Sequence, residues 1–122
     1  MKKFKFRLEP LKKIKEHVEK QRQKEHAVAV QKVISQQARL AELERARLGV
    51  MTTQRDRQGQ AVSVSAMELL SYSRYYLKLK RDRITGVEIL RGLEADAEGK
   101  RQRLVEASRQ RKIYDKLKER QV

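Results

Sequence analysis

The side chains with chemistry to offer are two histidines, a cluster of tyrosines and a large excess of lysine and arginine. His17 and His26 stand nine residues apart, which turns them to opposite faces of a helix, so they cannot share one metal ion. They read as surface histidines. With no cysteine in the chain there is no thiol nucleophile, no disulfide and no zinc knuckle. Glu42 and Glu44 point to different sides of a helix, which denies them paired acid–base work. The isolated glycines lack the lysine and the spacing of a phosphate-binding loop. Catalysis needs polar groups converging in a pocket, and this pattern predicts no enzyme, no cofactor and no metal.

Tyr72, Tyr75 and Tyr76 support two readings. In one, Tyr72 and Tyr76, four residues apart, join Leu69 and Leu79 in a seam between helices. In the other, Tyr75, about 100° around the helix from Tyr76, stands at the surface with Leu79 as an anchor for a partner, a role that exposed aromatics favour.

The charge has a location as well as a size. Lysine and arginine number 31 against 16 acidic residues, a net +15 in 122 residues. Residues 1–24 hold ten basic and three acidic side chains, and residues 100–122 hold nine and three, whereas residues 25–99 hold twelve and ten. Most of the excess therefore lies at the two ends. Such a surface suits an acidic partner: nucleic acid, an anionic membrane face or an acidic protein. The bland alternative is a solvated helix face, with pairs such as Glu16 and Lys20 at i,i+4. The concentration of positive charge favours a use for it, since it repels itself unless something offsets it.

Long helices must position these groups. Charged residues are 39% of the chain and aromatics 5%, with one proline, a mix closer to a coiled coil than to a compact globule. Phe4–Leu8 alternates like a short strand and stops at Glu9-Pro10. Proline suits a first helical turn and Glu9 suits the helix dipole there, so helix one is expected to start near Glu9 and run to about residue 58. Leu11, Ile14 and Val18 open a seam by steps of three and four, which weakens at Gln21, Glu25 and Gln37 and resumes through Val28, Val33, Leu40 and Leu48. The stripe drifts, predicting loose supercoiling. Residues 59–65 read as a loop, and Ser65-Ala66-Met67-Glu68 fits a capping box opening helix two, about 66–120. Gly86, Gly92 and Gly99 should loosen that helix.

Neither helix buries its stripe alone, and a short connection makes antiparallel pairing the default. The fold class expected is therefore all-α, one domain over 1–122, two long helices in an antiparallel coiled-coil hairpin with arms of about 75 Å. Leu40 should face Ile84, and Leu11 should face Ile113. The two basic ends would then meet in one tip. No stretch approaches a membrane span, and Met1-Lys2-Lys3 is followed by no apolar signal region, which predicts a cytoplasmic protein.

Phe4-Lys5-Phe6-Arg7-Leu8-Glu9-Pro10-Leu11 resembles the opening signature of the FliJ family, the small coiled-coil component of the bacterial flagellar type III export apparatus. Tyr72-Ser73-Arg74-Tyr75-Tyr76-Leu77-Lys78-Leu79 is similar to that family's internal motif, and Arg109–Leu117 to its C-terminal helix. The resemblance covers the whole chain in length and layout. It implies a stalk-like protein that binds the hexameric flagellar export ATPase, the large membrane protein of the export gate and export chaperones, with no ATPase activity of its own. It implies peripheral association with the inner face of the cell membrane at the export apparatus. Tyr75 and Leu79 fall where the family presents side chains to the gate, with Tyr76 on a more buried register and Tyr72 beside them. Lys12, Lys13, Lys15, Arg109, Arg111, Lys112 and Lys116 would form the basic tip that enters the ATPase ring. The equivalent stalk of a virulence secretion system remains an alternative. A basic helical protein for nucleic acid is a further one, disfavoured because no stacking aromatics interleave the basic residues.

Overall fold

A computed structural model of the chain describes the backbone of residues 2–59 and 65–121 and the side chains of residues 8–56 and 65–120. It is all-α. Helix α1 runs Lys2–Gly59 and helix α2 runs Ala66–Gln121. The expected loop falls on residues 59–65, of which 60–64 lie outside the described residues. Ser65 caps α2: the Glu68 amide donates to the Ser65 hydroxyl at 3.2 Å, and the Leu69 amide to the Ser65 carbonyl at 3.1 Å.

The start of α1 corrects the expectation that the first helix begins at Glu9. Phe4–Leu8 is helical, and Pro10 sits inside the helix. Proline removes one i→i−4 hydrogen bond. Pro10 is exposed, and the helix continues through it.

The two helices pack against each other in two compact units, residues 2–33 with 93–121 and residues 34–59 with 65–92. In the terminal unit the contact line on α1 is Leu8, Lys12, Lys15, Glu19, Arg22, His26, Ala29 and Val33. On α2 it is Leu93, Ala97, Lys100, Leu104, Ala107, Arg111 and Tyr114. In the other unit the line is Gln36, Leu40, Leu43, Arg47, Val50 and Gln54 against Tyr72, Tyr76, Leu79, Arg83, Gly86 and Leu90. All of these but Arg83 are buried or half-buried. Every step is three or four in strict alternation, the heptad of a coiled coil. The drifting stripe expected from the sequence is not what packs.

Leu11, Ile14, Val28 and Leu48, expected in the seam, are exposed. The reason lies in the register. Steps of three and four from Leu11 run on through Gln21, Glu25, Lys32, Ser35 and Arg39, whereas steps from Leu8 collect Ala29, Val33, Leu40, Leu43 and Val50. The second line buries more apolar surface over its whole length. Its lysines and arginines contribute aliphatic stems while their charged ends reach water.

Small residues set how closely the helices approach. Ala29, Ala97 and Ala107 are buried, with Leu79 as the largest buried hydrophobic side chain. Gly86 is buried as well. A Cβ there would lie 2.6 Å from Leu40 Cδ2, and the Gln36 amide donates to the Gly86 carbonyl at 3.1 Å. Leu40 therefore meets Gly86, and Ile84, its expected partner, is exposed. Gly92 and Gly99 have open space instead.

Candidate functional site

The terminal unit joins the beginning of the chain to its end. Glu9 meets Lys118 at 3.0 Å, and Lys12 meets Asp115 at 3.5 Å. Glu19, buried between the helices, accepts from the Ser108 hydroxyl at 3.3 Å and from the Arg111 guanidinium, which also reaches Asp115 at 2.6 Å. Lys118 holds the Glu9 carboxyl below the usual carboxylate range, and Glu9 in turn holds the ammonium above the usual lysine range. The Arg111 guanidinium is likewise raised, chiefly by its hydrogen bond to Glu19. These contacts tie the two basic segments together side by side.

The seven basic residues expected at this end do not behave alike. Lys12 and Arg111 are seam residues whose charges are occupied by carboxylates across the interface. Lys15 Nζ lies 5.9 Å from the Tyr114 ring centre, within cation–π range. Arg109 is exposed but pairs with Glu106 on its own helix at 3.4 Å. Lys13, Lys112 and Lys116 are exposed and form no ion pair among the described residues. Residues 1–33 and 93–122 together hold twenty basic and ten acidic side chains, against eleven and six in residues 34–92. The terminal unit therefore carries the larger positive excess, which Lys13, Lys112 and Lys116 project together with the exposed Lys20, Lys24, Lys32, Arg103 and Arg120. Lys118 was not expected from the sequence to fasten the two ends. The signal was available: it continues the three-four line of Arg111 and Tyr114.

The tyrosines divide between seam and surface. Tyr72 and Tyr76 are half-buried seam residues, and the Tyr76 hydroxyl lies within reach of the Arg47 guanidinium. Arg47 also donates to Glu44 at 2.6 Å. That contact, with a smaller contribution from Arg83 across the seam, lowers the Glu44 carboxyl. Tyr75 is 47% exposed, and with Met67, Ser71 and Tyr72 it lines a shallow groove. Leu79 is 6% exposed. This corrects the pairing of Leu79 with Tyr75 as a surface anchor. Four residues carry a heptad from a flank into the seam, so Leu79 packs while Tyr75 projects.

His17 is exposed and His26 is half-buried in the seam. Among the described residues no group of three histidine or carboxylate side chains is arranged to hold a metal ion. No helix in the described residues is long and apolar enough to cross a membrane.

No curated protein and no solved structure matches the chain. Residues 4–122, nearly its full length, match the family model described as Flagellar FliJ protein, so the chain belongs to the FliJ family of helical proteins tied to flagellar export.

Proposed function

We propose that this protein is a non-enzymatic, stalk-like component of the flagellar export apparatus, whose terminal unit binds the hexameric export ATPase. The observation that carries this reading is the joining of both chain ends in one unit, with Lys13, Lys112 and Lys116 exposed and unpaired by any described carboxylate. A lumen or rim carrying acidic groups would attract such a surface at long range, speeding association at low ionic strength. Differential contact with the ring's states would then bias its conformations.

Tyr75 supports a second contact, to the large membrane protein of the export gate. An exposed aromatic beside a shallow groove is a suitable anchor, with Tyr72 forming the groove wall and Tyr76 and Leu79 holding the helix beneath. Export chaperones complete the partner set that family membership favours. In this reading the protein resides in the cytoplasm and meets the membrane only peripherally, at the apparatus.

The test is binding of the full chain to the export ATPase hexamer near physiological salt. Reversal of Lys13, Lys112 and Lys116 to glutamate should weaken binding by at least about tenfold, with helicity by circular dichroism unchanged. Unchanged binding removes the terminal unit from the contact. A protein that ignores the ring but shifts duplex DNA, with affinity that falls steeply as salt rises, is a nucleic-acid binder instead.

A further inference from the structure

The unit of residues 34–59 and 65–92 carries apolar side chains that its own pairing leaves unused. Each seam residue is followed by one turned about 100° further around the helix. Because the two helices run in opposite directions, those following residues emerge on the same side of the pair. On α2 this side holds Leu70, Leu77 and Ile84, spaced by seven, and on α1 Ile34 and Leu48, spaced by fourteen with Ala41 midway. All six are exposed. Leu77 and Ile84 stand 50% and 56% open.

A seven-residue repeat outside the seam is a second stripe with helical period. Successive members on one helix lie about 10.5 Å apart, the same rise as two turns of any helix laid alongside. An apolar stripe of this extent marks an interaction face more often than a solvated one. Tyr75 precedes the seam residue Tyr76 and so lies on the opposite side. The stripe is therefore distinct from the tyrosine groove.

The edges of this side specify the charge of its occupant. Arg45 on α1 and Arg74 and Arg81 on α2 occupy the outward positions next to the stripe, all exposed and none paired among the described residues. Lys80 is exposed on the same side, and of the two carboxylates there Glu44 is held by Arg47 while Glu88, seven residues after Arg81, is exposed, which leaves the side basic. Two copies of this chain joined by a two-fold axis through the stripe would set these arginine rims against each other. An acidic partner gains from them.

We propose that this face docks an amphipathic helix of a partner protein, with apolar residues repeating every seven and acidic residues flanking them. The docked helix lies along this side of the pair as the third member of a bundle. Leu48, Leu77 and Ile84 bury against its apolar stripe, and Arg45, Arg74 and Arg81 meet its carboxylates. This proposal stands apart from the ring and gate contacts above.

A suitable probe is a fluorescein-labelled peptide of about four heptads with leucine at both seam positions and glutamate on both flanks, which keeps it from pairing with itself. Fluorescence anisotropy with the full chain near physiological salt should show saturable binding. L77E/I84E should weaken it at least about tenfold, a loss of roughly 1.4 kcal/mol or more, and R74E/R81E should do the same while admitting a peptide with lysine flanks. Should either pair lose helicity, L77A/I84A retains the shape of the rim and should still weaken binding about threefold or more. Tyr75→Ala should leave binding unchanged. Absence of saturable binding, equal binding of the lysine-flanked peptide, or loss of binding on reversing Lys112 and Lys116 in place of Leu77 and Ile84 would each overturn the proposal. A dimer in sedimentation that L77E/I84E dissociates would assign the face to a second copy and overturn it as well.

Discussion

The Arg111 guanidinium donates to the Glu19 carboxylate across 92 residues of sequence and joins the last turns of α2 to the second quarter of α1. Glu19 is a buried acidic residue on a seam otherwise rich in basic ones, so its partner decides whether burial is tolerable. Arg111→Ala leaves that carboxylate with only the Ser108 hydroxyl and should lower the thermal midpoint by several degrees. Arg109→Ala, two residues away and paired only on its own helix, should barely move it. Equal midpoints for the two variants would show that the Glu19 contact contributes little to the pairing.

The glycines of α2 should respond differently to the same methyl group. Gly92→Ala and Gly99→Ala meet open space and should each stabilise the protein by about 0.5–1 kcal/mol through helix propensity. Gly86→Ala forces Leu40 to turn its Cδ2 aside and should gain less than either. Gly86→Leu exceeds what that rotation can absorb and should destabilise by about 1–3 kcal/mol. Urea denaturation followed by circular dichroism ranks the four proteins.

The Glu9–Lys118 contact gives stability a pH dependence of known sign. A carboxyl lowered in the folded state contributes fully above its unfolded value of 4.5 and is lost as pH falls through the lower, folded value. A raised lysine contributes fully below 10.5 and is lost as pH rises through its higher, folded value. The pair should therefore support the terminal unit between about pH 5 and 10 and fade on both sides. Both groups face solvent, so about 1 M salt should shrink the effect. Thermal midpoints of the protein and of Lys118→Met, measured against pH, should converge at both extremes. A constant gap between the two curves would exclude this contact as their source.

Tyr75 and Leu79, four residues apart, should separate binding from folding. Leu79→Ala removes the largest buried hydrophobic side chain and should cost about 2 kcal/mol or more of stability. Tyr75→Ala should leave stability within about 0.5 kcal/mol while weakening attachment to the export gate, with ATPase binding retained. Loss of both partners in the Tyr75 variant would point to a folding defect and away from a gate anchor.

Much of this was legible before any coordinates. Apolar residues at helical spacing, the Ser65 capping box and the scarcity of breakers predicted two long helices, and the boundaries of α2 agreed closely. The start of α1 did not, because Pro10 reads as a helix opener yet sits inside the helix. The charge map foresaw a basic terminal unit, yet could not distinguish the lysines that project from those the seam uses. Lys12 and Lys13 are adjacent and chemically identical, but Lys12 faces Asp115 and Lys13 faces water.

The amino-acid order determined helical content, the polarity of each end and the antiparallel return, since each follows from local periodicity and from a connection too short for any other path. Which line of residues becomes the contact was decided only in three dimensions. Of two interleaved lines one residue apart, the one through Leu11, Ile14 and Val18 is the more apolar at the start of α1, yet the one through Leu8, Lys12 and Lys15 packs. The choice between them depends on small residues such as Gly86 opposite Leu40 and on carboxylates such as Glu19 opposite Arg111, pairings that no single segment contains.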